Sequence, residues 1–464
     1  MKDMTLDAMA KACHGQLIGA NTMQFLNAQG IVIDSRMVQE DYVFVAIKGE
    51  RTDGHQYIDQ VYADGALAVV SEQPLHISRP YILVTSTRQA LLDLAAYYLS
   101  RLDLKVIGIS GSVGKTSTKE IIASVLSQKY KVHKTEGNFN NEIGLPLTIF
   151  KLREEHQAAV LEMGISEFGE MHRLASVSRP DIAVITNIGL SHLKTLGSRE
   201  GILKAKTEMF DHLQDDAAVV LNGDDDLLST TAQVHGKAPV FYGIGTVKPQ
   251  TAVYNSKTIY ASDIQNLGLK GIRLTIHTAD ESFTARIPIP GEHNVYNALA
   301  ATAVGRQMGL TNEEIRAGLE TARTIDGRTN LIETGTMTVI DDCYNANPLS
   351  MKASIDVLAT ALGRTVAVLG DMGDLGQNER GLHYEVGRHL AAKGIDILFC
   401  AGTLSHELAR GVRENNPKCE IHEFEARDEM LQELLPFLRE GDSVLVKASH
   451  FMQYAEVVEA IITI

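Results

Sequence analysis

The stretch from Gly108 to Thr118, GISGSVGKTST, constrains this chain more than any other. It follows a β-branched apolar run, Val106 to Ile109, and precedes a segment where Ile121, Ile122, Val125 and Leu126 recur on one helical face. The order is therefore apolar strand, glycine turn, amphipathic helix. A helix start leaves backbone N–H groups without intrahelical partners, and glycines let the chain fold close enough for those groups to wrap a phosphate. The candidate nucleotide contacts are Gly111, Ser112, Val113, Gly114, Lys115, Thr116 and Ser117, with Lys115 placed for the β- and γ-phosphates and Thr116 for Mg²⁺. The loop has the form GxxGKT. The strict GxxxxGK[ST] pattern would need glycine where this chain has Ile109, so the match is to a variant of the common phosphate loop. An ordinary glycine turn is the bland alternative, and the Lys-Thr pair directly after the second glycine argues against it.

A strand, turn and helix of this kind imply an α/β protein with a mainly parallel, doubly wound sheet. Further strands are expected at Ala158–Leu161 and Ile182–Ile185. The chain has 464 residues, and at roughly 150 residues per domain about three domains are expected. Residues 1–85 carry short strand-like runs (Gly30–Ile33, Tyr42–Ile47, Ala66–Val70, Tyr81–Val84) and read as a small mixed α/β domain. A helix over Thr87–Leu102 opens the central ATPase-type domain, 86–326. Within it, Ala238 to Pro290 is strand-rich and suggests a small antiparallel sheet. From 327 to 464 the strand–helix rhythm resumes, with strands near Met337, Val366, Ile395, Glu420 and Val444, implying a third, Rossmann-like domain.

Charge and cysteine content narrow the function. The formal net charge is −15, which argues against broad binding to nucleic acid or anionic membranes, so an anionic ligand needs a local basic pocket. Cys13, Cys343, Cys400 and Cys419 are widely spaced with no CxxC pair, so neither a disulfide framework nor a zinc knuckle is expected. The N-terminus lacks a signal-peptide apolar core and no run of about 18 apolar residues occurs, so a cytoplasmic protein is expected, with small-molecule partners, no membrane span and a monomeric state.

Several polar residues sit where strands should end, the edge at which doubly wound sheets bind ligands. Glu162 closes AAVLE and is a candidate Mg²⁺ ligand, although a lone Glu there is more often a solvated turn residue. His192 follows DIAVITNIGLS after Asn187 and Gly189, where a hydrogen-bonded loop histidine is the alternative. Lys206 lies in GILKAKTEMF beside Lys204, and a helical lysine is ordinarily exposed. Asn294 and Asn297 share a helical face and suit a base or sugar, with helix capping by Asn294 an equal competitor. Arg328, in DGR, is either a surface ion pair or a mobile cation closing on a γ-phosphate. VIDDCYNANP brings Asp341, Asp342, Tyr344, Asn345 and Asn347 to a strand end. LGDMGDLG with His383, and VLVKASH with Lys447, Ser449 and His450, add two more polar loops suited to a second substrate.

Taken in order, GSVGKTST, EMG, TNIGLSHL, AKTE, GEHNVYN, DGR, DDCYNANP and GDMGDLG resemble the Mur ligases of peptidoglycan synthesis over essentially the whole chain. VIDSR, FVAIKG, DGH and TEGNFNNEIGLP resemble the family's nucleotide-sugar side. The resemblance implies an ATP-dependent ligase that joins D-alanyl-D-alanine to UDP-N-acetylmuramoyl-tripeptide through an acyl phosphate. It implies roles for single residues too. Glu162, His192 and Lys206, the last carbamylated by CO₂, would join Thr116 in holding two Mg²⁺ ions. Asn294, Asn297, Arg328 and Asp342 would contact ATP, with Lys115, Glu162, His192, Lys206 and Arg328 forming the catalytic set. Ser35, Arg36, Lys48, Asp53, His55, Asn138 and Asn141 would bind the UDP substrate, and Tyr344, Asn345 and Asn347 the dipeptide. The chain departs from the family pattern at KASH, where KGSR is frequent, and at Asp374, where Glu is common. The DNPR motif of the ligase adding the third amino acid is absent, which favours the dipeptide-adding activity. Another Mur-type amino acid ligase and a P-loop ATPase without ligation are the competing readings, and ADP release dependent on both peptide substrates separates them.

Overall fold

The computed structural model describes residues 1–50, 52–244 and 258–463. Its contacts gather into two compact units. The first comprises Met1–Ser110, Lys129–Val184 and Ala205–Ala218, and the second Gly111–Gln128, Ile185–Lys204 and Val219–Ile464.

The first unit opens with a five-stranded sheet of β1 (Gln16–Ile18), β2 (Gly30–Val32), β3 (Tyr42–Val45), β4 (Ala68–Ser71) and β5 (Tyr81–Leu83), in the order β1-β5-β4-β3-β2. All pairings are parallel except β1 with β5. Every residue of β4 is buried, as expected of a central strand with both faces covered. The helix Thr87–Ser100 follows, its start fixed by the Ser86 hydroxyl accepting from the Gln89 amide. Beyond it run β6 (Lys105–Ser110), β7 (Val132–Lys134), β8 (Ala158–Glu162) and β9 (Ile182–Ile185). β8 pairs in parallel with both β6 and β7, and Glu162 lies opposite Ile109 at the carboxyl end.

In the second unit the helix Lys115–Leu126 packs against the helices His293–Gln307 and Asn312–Glu320. The last approach is close enough that a Cβ on Gly318 would overlap the Val125 backbone, and Ser124 Oγ donates to the Gly318 carbonyl at 2.7 Å. The strands β10 (Ala218–Asn222), β11 (Val240–Ile244), β12 (Ile259–Asn266), β13 (Ile272–His277) and β14 (Ser282–Ile287) pair consecutively. The small antiparallel sheet expected over Ala238 to Pro290 is found in part: β12, β13 and β14 form an antiparallel meander, whereas β11 pairs in parallel with β10 and with β12. Part of that expectation, residues 245–257, lies outside the described residues.

The second unit continues with a six-stranded sheet of β15 (Asn330–Glu333), β16 (Thr338–Asp341), β17 (Thr365–Gly370), β18 (Ile397–Ala401), β19 (Glu420–Phe424) and β20 (Ser443–Lys447). Its order is β15-β16-β20-β17-β18-β19, parallel throughout except for the edge strand β15. Two apolar clusters, one around Ile355 and Leu390 and one around Met430 and Val457, cover its two faces. That covering explains why β17, β18 and β20 read as continuous apolar runs. The DDCYNANP, GDMGDLG and KASH segments leave the carboxyl ends of β16, β17 and β20.

Candidate active site

The glycine loop is shaped by two left-handed positions. Gly111 has φ +150° and Gly114 φ +81°, and a Cβ on Gly111 would overlap Thr186 Oγ1. Gly114 stands at the N-cap of the twelve-residue helix Lys115–Leu126 with no side-chain cap, so the helix presents its free amides and positive dipole end to the loop. A turn from Thr186 to Gly189 clamps the loop from behind. Ser112 N donates to the Asn187 carbonyl and Val113 N to Asn187 Oδ1, both at 3.0 Å. Thr186 Oγ1 and Asn187 Nδ2 donate to the Val113 carbonyl at 2.6 and 3.0 Å, and Gly189 N donates to Ser112 Oγ at 2.8 Å. The Ser112 and Val113 amides are therefore spent on rigidity. Lys115 Nζ donates to the Gly111 carbonyl at 2.9 Å, and Thr116 is buried.

Asn294 and Asn297 are buried behind the loop rather than set on an open face. Thr118 Oγ1 donates to Asn297 Oδ1 at 2.9 Å, Asn297 Nδ2 to Asn294 Oδ1 at 2.9 Å, and Asn294 Nδ2 to the Pro290 carbonyl at 2.8 Å. The capping alternative for Asn294 is corrected, since Glu292 occupies the N-cap. A narrow crevice alongside is lined by Ser117, Glu120, Asn294, Arg323 and Arg328 among others. The Arg328 guanidinium lies 4.0 Å from the Tyr344 ring centroid, a cation–π contact, and its buried Nε has no hydrogen-bond partner among the described residues.

Asp342 is held from three sides. Thr329 N donates to Oδ1 at 3.0 Å, Lys447 Nζ donates to Oδ2 at 2.6 Å, and Ser354 Oγ donates to the same oxygen. Lys447 also reaches the Asn345 carbonyl at 3.0 Å, which fastens the loop after β16 to the end of β20. Asn347 caps the helix Pro348–Leu358 in a reciprocal box with Ser350. Asn345 Oδ1 accepts from the Ala346 amide. Tyr344 stands between Arg328 and His450, the latter ring 5.7 Å away. His383 is buried, with Nε2 accepting from Met372 N at 2.9 Å and Nδ1 facing the Glu379 carbonyl at 2.7 Å, so it braces the GDMGDLG loop as a neutral ring. Burial holds its pKa below the ordinary histidine value. His192 begins the short helix Leu193–Leu196 in a left-handed conformation, φ +61°.

In the first unit, Glu162 is only 2% exposed, and Asn140 Nδ2 donates to its Oε1 at 2.8 Å. Lys206 is 1% exposed on the helix Arg199–Thr207, against the alternative of an ordinary solvated lysine, whereas Lys204 two residues earlier is exposed. Asn138 and Asn141 are exposed, and Asn141 Oδ1 accepts from the amides of Ile143 and Gly144. Ser35 is buried, and Asp34 accepts from both the Arg36 side chain and its amide, which pulls the Asp34 pKa down to about 2. His55 Nδ1 meets Asp53 Oδ1 at 2.6 Å while Nε2 accepts from the Glu72 amide, and Lys48 bridges to Asp53 through the backbone.

Three family models match in succession: Mur ligase family catalytic domain over residues 27–102, Mur ligase middle domain over 109–305, and Mur ligase glutamate ligase domain over 327–450. The UDP-N-acetylmuramoyl-tripeptide–D-alanyl-D-alanine ligase of Bacillus subtilis is 38% identical across 93% of each chain. The chain belongs to the Mur ligase family. Among solved structures, MurF from Acinetobacter baumannii superposes with a TM-score of 0.88 at 32% identity and 99% coverage of both chains. MurF from Thermotoga maritima, solved in complex with ADP, gives 0.82 at 30% identity, covering 94% of this chain and 97% of that one.

Two residues of this Mur ligase escaped the sequence reading. Asn140, which holds Glu162, sits in the NFNN run, where four polar or aromatic letters in a row gave no means of telling the one that points inward. Thr186, which fits against Gly111, ends an apolar strand where a β-branched residue reads as sheet. Among the described residues no three His, Cys, Asp or Glu side chains are gathered into a preformed metal cage. No described helix of this Mur ligase is long and apolar enough to cross a membrane.

Proposed function

We propose that this Mur ligase joins D-alanyl-D-alanine to UDP-N-acetylmuramoyl-tripeptide at the expense of ATP. The observation that carries the proposal is the nearly full-length match to relatives bearing that name, on a chain whose glycine loop is formed and clamped. A carboxylate does not acylate an amine in water until one of its oxygens becomes a leaving group. The tripeptide carboxylate therefore attacks the γ-phosphorus of ATP, giving an acyl phosphate and ADP. The dipeptide amine then adds to the carbonyl, and the tetrahedral intermediate expels phosphate and loses a proton. No side-chain nucleophile is needed. The protein's task is to hold anions together and keep water out, with Lys115 and Arg328 as cations at the transferred phosphoryl group.

The residues present fit a nucleotide: Gly114 leaves the N-terminus of the helix Lys115–Leu126 without a side-chain cap, and that helix starts with Lys and Thr. They fit Mg²⁺ as well, since the Thr116 hydroxyl and the Glu162 carboxylate supply hard oxygen donors, to which a carbamate on Lys206 would add two more. We assign Thr116, Glu162, His192 and Lys206 to two such ions, which would offset the phosphate charge. An ammonium beside them would repel metal, whereas a carbamate attracts it. Carbamylation needs a neutral amine, and the Lys206 side chain is almost wholly enclosed. We further assign Asn294, Asn297 and Asp342 to ATP, and the UDP end to the Ser35, Arg36, Lys48, Asp53, His55, Asn138 and Asn141 group. Tyr344, Asn345 and Asn347 are assigned to the dipeptide side. Domain limits of 1–85, 86–326 and 327–464, a cytoplasmic location and a monomeric state complete the reading.

The test is ADP release measured with each peptide substrate omitted in turn, together with product mass. Release at full rate without D-alanyl-D-alanine would remove the ligase assignment. Carbamylation is read separately: labelled ¹³CO₂ should give a carbamate NMR signal in the native protein that vanishes in Lys206→Ala, and absence of that native signal together with full activity of Lys206→Arg would end the assignment.

A further inference from the structure

The outer face of the β13–β14 hairpin carries a charge arrangement that is unfavourable as it stands. Arg273 on β13 lies directly opposite Arg286 on β14. Cross-strand partners have Cβ atoms about 4.5–5.5 Å apart, a spacing at which like charges repel. On its other side Arg273 faces the neutral Gln265 of β12, and the next rung is Thr275 with Thr284. Among the described residues neither arginine makes an ion pair, whereas nearby Arg306 pairs with Asp280. Arg286 donates to the Lys270 carbonyl at 3.1 Å, a neutral partner that leaves its charge uncompensated.

A third arginine joins them from a different element. Arg323, just beyond the helix Asn312–Glu320, lines with Arg273 and Arg286 one open cleft of about 600 Å³. Thr284, Pro288 and Glu320 complete most of its wall, so three guanidinium groups face a single carboxylate on a chain whose net charge is −15. Charged residues on an edge strand guard against edge-to-edge pairing. One lysine does that; two opposed arginines and a third from a helix end do not follow from it. The same Arg323 also lines the crevice that holds Ser117, Asn294 and Arg328, so cleft and crevice share a side chain.

We propose that this cleft is a second anion site, taking a small molecule with two or more linked phosphoryl groups. Planar guanidinium forks bind phosphoryl oxygens in pairs, and a bound polyanion converts the Arg273–Arg286 repulsion into shared attraction. Occupancy fixes Arg323, and through the five-residue step to Arg328 it biases the arginine assigned to the transferred phosphate. The site itself stands independently of the ligase reading, because its residues lie outside the glycine loop.

Titration calorimetry on the full chain saturated with ADP, using tripolyphosphate as its magnesium complex, tests this. The wild-type protein should show one further binding event. The Arg273→Gln/Arg286→Gln variant should lose at least tenfold in that affinity with ADP affinity unchanged, and Arg323→Gln, outside the sheet, should lose a comparable amount. Citrate should bind the wild type at least tenfold more weakly than tripolyphosphate. In the absence of polyanion, Arg286→Gln should melt at or above the wild-type temperature, and tripolyphosphate should raise the melting temperature of the wild type alone. Tripolyphosphate binding unchanged in both variants, or citrate binding equally well, would overturn the proposal.

Discussion

Lys115 begins its helix with the ammonium folded back on the Gly111 carbonyl, so it is already inside the loop where a phosphate would lie. Lys115→Ala should slow dipeptide-dependent phosphate release by an amount equivalent to about 2–4 kcal/mol, the loss typical of one preorganised donor to developing charge. A near-normal rate would place the nucleotide elsewhere. Arg328 differs because its flat guanidinium rests on Tyr344. Arg328→Lys keeps the charge and loses both the stack and the paired donors, so kcat should fall more than the KM for ATP rises in steady-state assays. At this scale the sequence was readable where the backbone demands a particular letter, as at Gly111 and Gly114 with their positive φ. It was unreadable where burial decides the role. Lys204 and Lys206 are the same letter two positions apart, one in water and one fully enclosed, and only the packing of the helix distinguishes them.

Among the elements, the helix Pro348–Leu358 shows how a binding assignment and a structural one compete for one side chain. Asn347 accepts from Ser350 N, Ser350 returns a bond to the Asn347 amide, and Pro348 follows at the first helical position. Asn347→Ala should cost about 1 kcal/mol of stability, as lost N-caps do, measurable by urea denaturation. Asn347→Ser retains a capping oxygen and should restore stability. If its KM for D-alanyl-D-alanine still rises, the dipeptide role holds as well; if stability and KM recover together, Asn347 is a cap alone. The strands β9 and β19 were legible to the residue, β9 as the unbroken apolar run Ile182–Ile185 and β19 from its place in the strand–helix rhythm. The three-residue β1 and the edge strand β15 were not, since short half-exposed strands lack a periodic pattern and take their form from the neighbour they pair with.

Across the whole molecule, several histidines are held below their ordinary pKa chiefly by burial, among them His133, His293 and His383. Unfolding releases them to take up protons near pH 6.5, so below about that pH the unfolded chain binds more protons than the folded one and stability falls as pH drops. His406 acts in the opposite sense, raised by Glu423 and Glu425, but it is nearly half exposed and counts for less. Denaturation midpoints should therefore decline between about pH 6.5 and 5. His383→Gln, which can still accept from Met372 N, should flatten that decline, and an unchanged slope would remove His383 from the set. The cysteines lead to a practical end. All four are buried, and burial raises each thiol, Cys13 to about 11 and Cys419 to about 12. Cys343 and Cys400 are raised further still. With hardly any native thiolate at neutral pH, a cysteine introduced on the surface would be the one position a maleimide dye finds, so fluorescent reporters can be attached to the wild-type background to follow substrate-driven movement in solution.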